Sequence, residues 1–116
     1  MFKSLFRNRN KTAYENIDTT TLKAQLENAN EVVLIDVRSA EEYASGHITG
    51  SRLLPLPTIP TRYNEIPKET PVVITCRSGA RSRSACEQLS KLGFTNLSNL
   101  QGGVMAWKRA GLSLSK

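Results

Sequence analysis

The sequence predicts an α/β fold in which parallel strands are covered by helices on both faces. Three observations lead there. The apolar runs Val32–Val37 and Val72–Thr75 are short and rich in β-branched residues, as strands buried on both faces are. Segments with helical spacing follow them, with Ala85, Leu89 and Leu92 repeating at that spacing after the second run. Strands alternating with short helices imply crossover connections, and crossovers imply parallel pairing in a layered α/β sandwich.

In order along the chain, Asn16–Asp18 is expected as a short edge strand, and Thr19–Thr21 as the cap of a helix carrying Leu22 and Leu26. Val32–Val37 is the next strand, followed by a short helix ending at Gly46. Arg52–Leu56 is a third strand, closed by Pro55 and Pro57, and Thr58–Asn64 is a turn or short helix. Val72–Thr75 and Leu97–Leu100 complete the sheet. Val104 and Trp107 share a face of the closing helix and are expected in the core, with Gly102-Gly103 allowing the tight turn before it.

At 116 residues the chain is long enough for one core, expected over residues 14–116, with residues 1–13 as a basic extension. No run approaches the ~18 apolar residues of a membrane span. The first residues lack the apolar core of a secretory signal, which points to the cytoplasm. The net charge is +6, but Lys3, Arg7, Arg9 and Lys11 supply four of those charges. No basic stripe interleaved with aromatics marks a nucleic-acid surface. Phe2, Leu5 and Phe6 have helical spacing, so the extension is expected to fold back or fray rather than anchor to a membrane, for which it is too short. Two cysteines make no disulfide framework and no zinc pattern, and thiol chemistry on one of them would require neither a metal nor an organic cofactor.

The chemistry concentrates in Val72–Ser82, which reads Val-Val-Ile-Thr-Cys-Arg-Ser-Gly-Ala-Arg-Ser. A helix is expected to begin near Arg81, which sets Cys76 at a strand-to-helix turn. Free backbone N–H groups converge at such a turn, and the helix dipole favours negative charge there. With Arg77 and Arg81 beside it, Cys76 should ionise below the ~8.5 of a free thiol. In an open parallel sheet, ligands bind beyond the carboxyl ends of the strands, and both Cys76 and Asp36–Arg38 stand at such ends.

Four residues separate Cys76 from Arg81, and six separate it from Arg83. Cysteine-based phosphatases have five residues between their Cys and Arg, so neither arginine matches them. The shorter loop resembles that of the rhodanese family. Leu34-Ile35-Asp36-Val37-Arg38 with Glu41-Glu42-Tyr43 and Gly46-His47-Ile48 is similar to that family's first signature, and Gly102-Gly103-Val104-Met105-Ala106-Trp107 with Gly111 to its last. The resemblance covers nearly everything from Tyr14 to Leu112. It implies a three-layer α/β/α fold on a five-stranded parallel sheet. It also implies transfer of a sulfane sulfur from a donor such as thiosulfate to a thiophilic acceptor such as cyanide.

On this reading Cys76 is the nucleophile, and the loop Arg77, Ser78, Gly79, Ala80 and Arg81 binds the anionic donor and the resulting persulfide. Asp36, followed two residues later by Arg38, either orients an active-loop arginine or N–H, or forms an ion pair or cap that fixes the strand-to-helix turn; the structural role is favoured. His47, the only histidine, is expected to hydrogen-bond structurally, because the loop holds a thiolate without a base. Cys86 is expected as a small core residue rather than a resolving thiol. The alternatives are a persulfide carrier serving a thiol protein, a phosphatase or arsenate reductase, and a non-catalytic interaction module.

Overall fold

Strands β1 (Glu15–Ile17), β2 (Val33–Asp36), β3 (Arg52–Leu53), β4 (Val72–Thr75) and β5 (Leu97–Leu100) make one sheet in the order β1-β5-β4-β2-β3, with every pairing parallel. The structure, a computed structural model, describes residues 14–28 and 32–116. The basic extension therefore lies outside the described residues. The helices are α1 (Thr19–Glu27), α2 (Ala40–Ala44), α3 (Ile59–Arg62), α4 (Ala80–Lys91) and α5 (Gly103–Arg109).

The pleat sorts the strand side chains into two cores. Ile35, Val72, Ile74 and Leu97 face Ile59 of α3 and Ala85 and Leu89 of α4. Leu34, Val73 and Leu100 face Leu22 of α1 and Val104 and Trp107 of α5. Alternate residues of one strand thus feed opposite layers, and the three-layer α/β/α expectation holds. Full burial of each such aliphatic side chain contributes roughly 1.5–3 kcal/mol. No described helix is long and apolar enough to cross a membrane.

Three local expectations are corrected. The first strand lies one residue earlier than read, because Asp18 leaves the sheet to cap α1, its carboxylate accepting the Thr21 N–H at 2.8 Å. Thr19–Thr21 are the first turn of that helix rather than its cap. The third strand is only Arg52–Leu53, since Pro55 has no N–H for a ladder. The chain nevertheless stays beside β2, with Leu54 N–H bonded to Asp36 O at 2.8 Å and Leu56 N–H to Val37 O at 3.0 Å. The segment after it is a short α-helix between two 3₁₀ turns, Leu56–Thr58 and Tyr63–Glu65.

The register of β2 on β4 pairs Asp36 with Thr75. Cys76 and the Val37–Arg38 turn therefore leave the sheet side by side at its centre. This placement, expected from strand direction alone, is observed.

Candidate active site

Cys76 continues the face of β4 that carries Val72 and Ile74, so its side chain enters the core beneath α4. The loop after it turns at Gly79, whose φ of 115° lies in the left-handed region that other residues rarely adopt. This turn brings two backbone donors onto the sulfur. Gly79 N–H reaches Cys76 Sγ at 3.1 Å and Ser82 N–H at 3.3 Å, while Ser82 Oγ lies 3.4 Å away. Burial by itself would push the Cys76 thiol up. The Ser82 hydroxyl and the N–H groups of Ser82, Gly79 and Ser78 outweigh it, and the pKa falls below 9.0. Lowering was expected, with the two arginines sharing in it. The expected N–H groups do face the sulfur, and a hydroxyl, that of Ser82, joins them, while Arg81 acts on it only through its charge.

The loop is clamped from both sides. From α5, Val104 N–H donates to Cys76 O at 2.8 Å and Met105 N–H to Arg77 O at 3.0 Å. That approach requires Gly103, where an added Cβ would lie 2.4 Å from Cys76 O and 2.6 Å from Arg77 O. From the other side comes α2, whose N-terminus is closed by a reciprocal capping box between Ser39 and Glu42. The same Glu42 carboxylate receives Arg81 through two bonds, of 2.7 and 2.9 Å. The Arg81 guanidinium holds the Glu42 carboxyl down at about 2, against the opposing effect of burial.

Comparison with known proteins bears on this geometry directly. Residues 18–110 match the family described as the Rhodanese-like domain. The chain belongs to the rhodanese family. It is 45% identical over 98 residues to a sulfurtransferase of Allochromatium vinosum, covering 84% of this chain and 92% of that protein. It is 34% identical over 76 residues to the thiosulfate sulfurtransferase GlpE of Stutzerimonas stutzeri, covering 66% of this chain and 70% of that one. The crystal structure of a rhodanese-like domain protein from Staphylococcus aureus superposes with a TM-score of 0.78 at 35% identity, covering 88% of this chain and 99% of that one.

Around the rhodanese loop the other expected residues fall into place unevenly. Asp36 and Arg38 form a buried fork, with Arg38 Nε and Nη2 on the carboxylate at 2.8–3.0 Å and Nη2 also on Gly46 O at 2.8 Å. Asp36 also accepts the Arg38 backbone N–H at 3.0 Å. The partners of its carboxylate are therefore all on Arg38 in the β2 turn, an ion pair of the structural kind favoured from the sequence. Removing one member would leave a buried charge uncompensated, at a cost of roughly 3–5 kcal/mol. His47 stacks on Tyr43 with ring centroids 3.7 Å apart, and its Nδ1–H donates to Tyr43 O at 2.9 Å. Cys86 is buried, with its S–H directed to Ser98 O at 3.8 Å. Trp107 packs in the α1–α5 core, its Nε1–H on Ser113 O at 3.0 Å.

A cavity of about 250 Å³ opens beside the loop, lined by Arg38, Glu42, Arg77, Met105 and Lys108 among others. Arg38 and Arg81 are each tied to a carboxylate. Among the described residues, Arg77 and Lys108 have no ion-pair partner. Ser82 and Asn99 were not singled out from the sequence, and Glu42 and Gly103 were named there only as parts of a signature and a turn, without their contacts to the loop. Signals existed for the capping role of Glu42 and for Asn99. Ser39 followed three residues later by Glu42 is a capping-box pattern, and Asn99 is a polar residue within a buried strand.

Proposed function

We propose that the protein is a sulfurtransferase carrying sulfane sulfur as a persulfide on Cys76. The observation that carries this reading is the convergence of two N–H groups and a hydroxyl on Cys76 Sγ, in a loop with four residues between Cys76 and Arg81. Such a nest stabilises a thiolate. The named activities of the relatives in Allochromatium and Stutzerimonas support it. The ring of amides is also one residue shorter than a phosphatase loop, which suits a single sulfur better than a tetrahedral phosphoryl group.

The Cys76 thiolate attacks the outer sulfur of thiosulfate. A new S–S bond forms on Cys76, the old one breaks, and sulfite departs with its electron pair. The persulfide's terminal sulfur carries the negative charge, which the loop N–H groups from Arg77 to Arg81 receive. A thiophilic acceptor such as cyanide then attacks that sulfur, and Cys76 leaves as thiolate. Two half-reactions through one covalent state give ping-pong kinetics. The donor dianion is held chiefly by Arg77 with Lys108 across the cavity. Arg81, already paired with Glu42, contributes less directly.

Incubating the protein with thiosulfate, removing the excess and weighing it intact should show one added sulfur. Cyanide should remove that sulfur as thiocyanate. Turnover of an aryl phosphate with no sulfur gained from thiosulfate would overturn the reading in favour of a phosphatase.

A further inference from the structure

Behind the nucleophile runs a chain of hydrogen bonds that the reaction as written leaves without a part. Cys76 Sγ is 3.4 Å from Ser82 Oγ, Ser82 Oγ bonds Asn99 Oδ1, and Asn99 Nδ2–H donates to Asn16 Oδ1 at 2.9 Å. The three polar residues come from α4, β5 and β1. The chain thus crosses from the sheet centre to its edge. It exists because the β1–β5 register sets Asn16 directly opposite Asn99, with both side chains on one face. Ser82 and Asn99 are buried, whereas Asn16 is exposed.

Such a chain has two directions. Asn99 Oδ1 has no hydrogen to give, so in the observed arrangement the Ser82 hydroxyl hydrogen points to it. A Cys76 thiol completes that direction by donating its S–H to Ser82 Oγ. A thiolate reverses the requirement, because it can only accept. A half-turn of the Asn99 amide puts Nδ2–H on Ser82 Oγ, which turns the hydroxyl hydrogen away from Asn99 and strengthens the hydroxyl as a donor, a gain that leucine at this position would forfeit. That hydrogen is then shared only between the sulfur and Gly79 O, 3.0 Å from Ser82 Oγ. Asn99 Oδ1 accepts in turn from Asn16 Nδ2–H once that amide rotates. At the exposed edge, rotation of Asn16 strands no buried group.

We propose that Asn99, backed by Asn16, is a positioning residue that turns the Ser82 hydroxyl hydrogen toward Cys76 whenever that sulfur is ionised. The charged or titratable side chains around Cys76 are Arg77 and Arg81, Glu42 on Arg81, the Asp36–Arg38 pair and Cys86. None is altered by changing Asn99. The proposal rests on the Cys76 thiolate chemistry above. Its measurement is a thiol titration, which can be made whether or not thiosulfate is turned over.

The experiment is thiolate titration by ultraviolet absorbance on the full chain, with thermal melting as a check of folding. Asn99→Leu should raise the Cys76 pKa by about 1 unit, a tenfold lower thiolate fraction below the pKa, and Ser82→Ala by at least as much. Because Asn99 acts through Ser82, adding Asn99→Leu to Ser82→Ala should raise it no further. Asn16→Ala, at the exposed edge, should raise it by a smaller step. An unchanged pKa in folded Asn99→Leu, or fully additive shifts in the double variant, would overturn the proposal. Should Asn99→Leu fail to fold, Asn16→Ala decides, and an unchanged pKa there overturns it equally.

Discussion

Cys76 and Cys86 are both free, both buried and both in the same core cluster, yet their acidities move in opposite directions. Burial raises both. Cys86 reaches about 12, pushed first by burial and then by the negative charges of Glu87 and Cys76. Its sulfur lies against a carbonyl, to which it can only donate. Cys76 lies ahead of α4, where first-turn N–H groups have no intrahelical partner, and it accepts them. One turn and a half further on, those groups are spent on the helix itself. Position relative to a helix N-terminus, rather than burial, separates the acidified thiol from the one held protonated.

The largest test of this contrast is chemical. Cys76→Ser should lower sulfur transfer from thiosulfate by on the order of 10³-fold or more, the scale of losing a nucleophile outright. Cys86→Ser should retain most of the rate. Iodoacetamide should label Cys76 with a midpoint below 9.0 and leave Cys86 untouched in the folded protein. Equal inactivation by both substitutions would break the distinction.

A second test reads stability against pH. Between 9.0 and about 12 the unfolded Cys86 loses its proton while the folded one keeps it. The unfolded state then binds fewer protons, so stability falls with rising pH, by up to ~1.4 kcal/mol per unit. Cys76 has the opposite sign: between its lowered pKa and 9.0 it adds stability as pH rises. Urea unfolding from pH 8 to 10.5 should show a shallower alkaline decline for Cys86→Ala, whatever its baseline stability. An identical slope would mean that Cys86 is not held protonated by its surroundings.

The smallest effect separates formal charge from hydrogen bonding. Arg77→Ala should raise the thiosulfate KM about tenfold, the scale of one charge-assisted contact. Arg81→Ala should raise it only a few-fold, because its fork already holds Glu42. Arg81→Ala should also move the Cys76 pKa less than Ser82→Ala does. A shift as large as that of Ser82→Ala would return the arginine to the centre of the electrostatics.

Much of this site could be read from the chain. The run Val72–Thr75 announced a buried strand, the periodicity of Ala85 and Leu89 a helix, and Cys76 necessarily fell in the turn between them. Placement of Asp36–Arg38 beside it followed from parallel pairing. Three features could not be read this way. The Arg81–Glu42 clamp joins residues 39 apart in sequence, so local spacing carries no sign of it. The length of β3 depended on where Pro55 met the ladder, and the cap of α1 on whether Asp18 or a threonine turned inward.

The sequence by itself determined the strand-to-helix turn that carries Cys76 and the sheet that presents it, because each rests on contacts within a few residues or on a strict period. Only the tertiary structure decided which cations stay free. Arg77 and Arg81 carry the same formal charge in one short loop, but the ion pair to Glu42 of α2 neutralises one of them. Likewise, only the β1–β5 register set Asn16 against Asn99 and carried that chain on to Ser82 and Cys76. Charge and hydrogen-bond donors can be counted along a chain. Their pairing depends on which distant segments fold together, and here that pairing sets the chemistry of the sulfur.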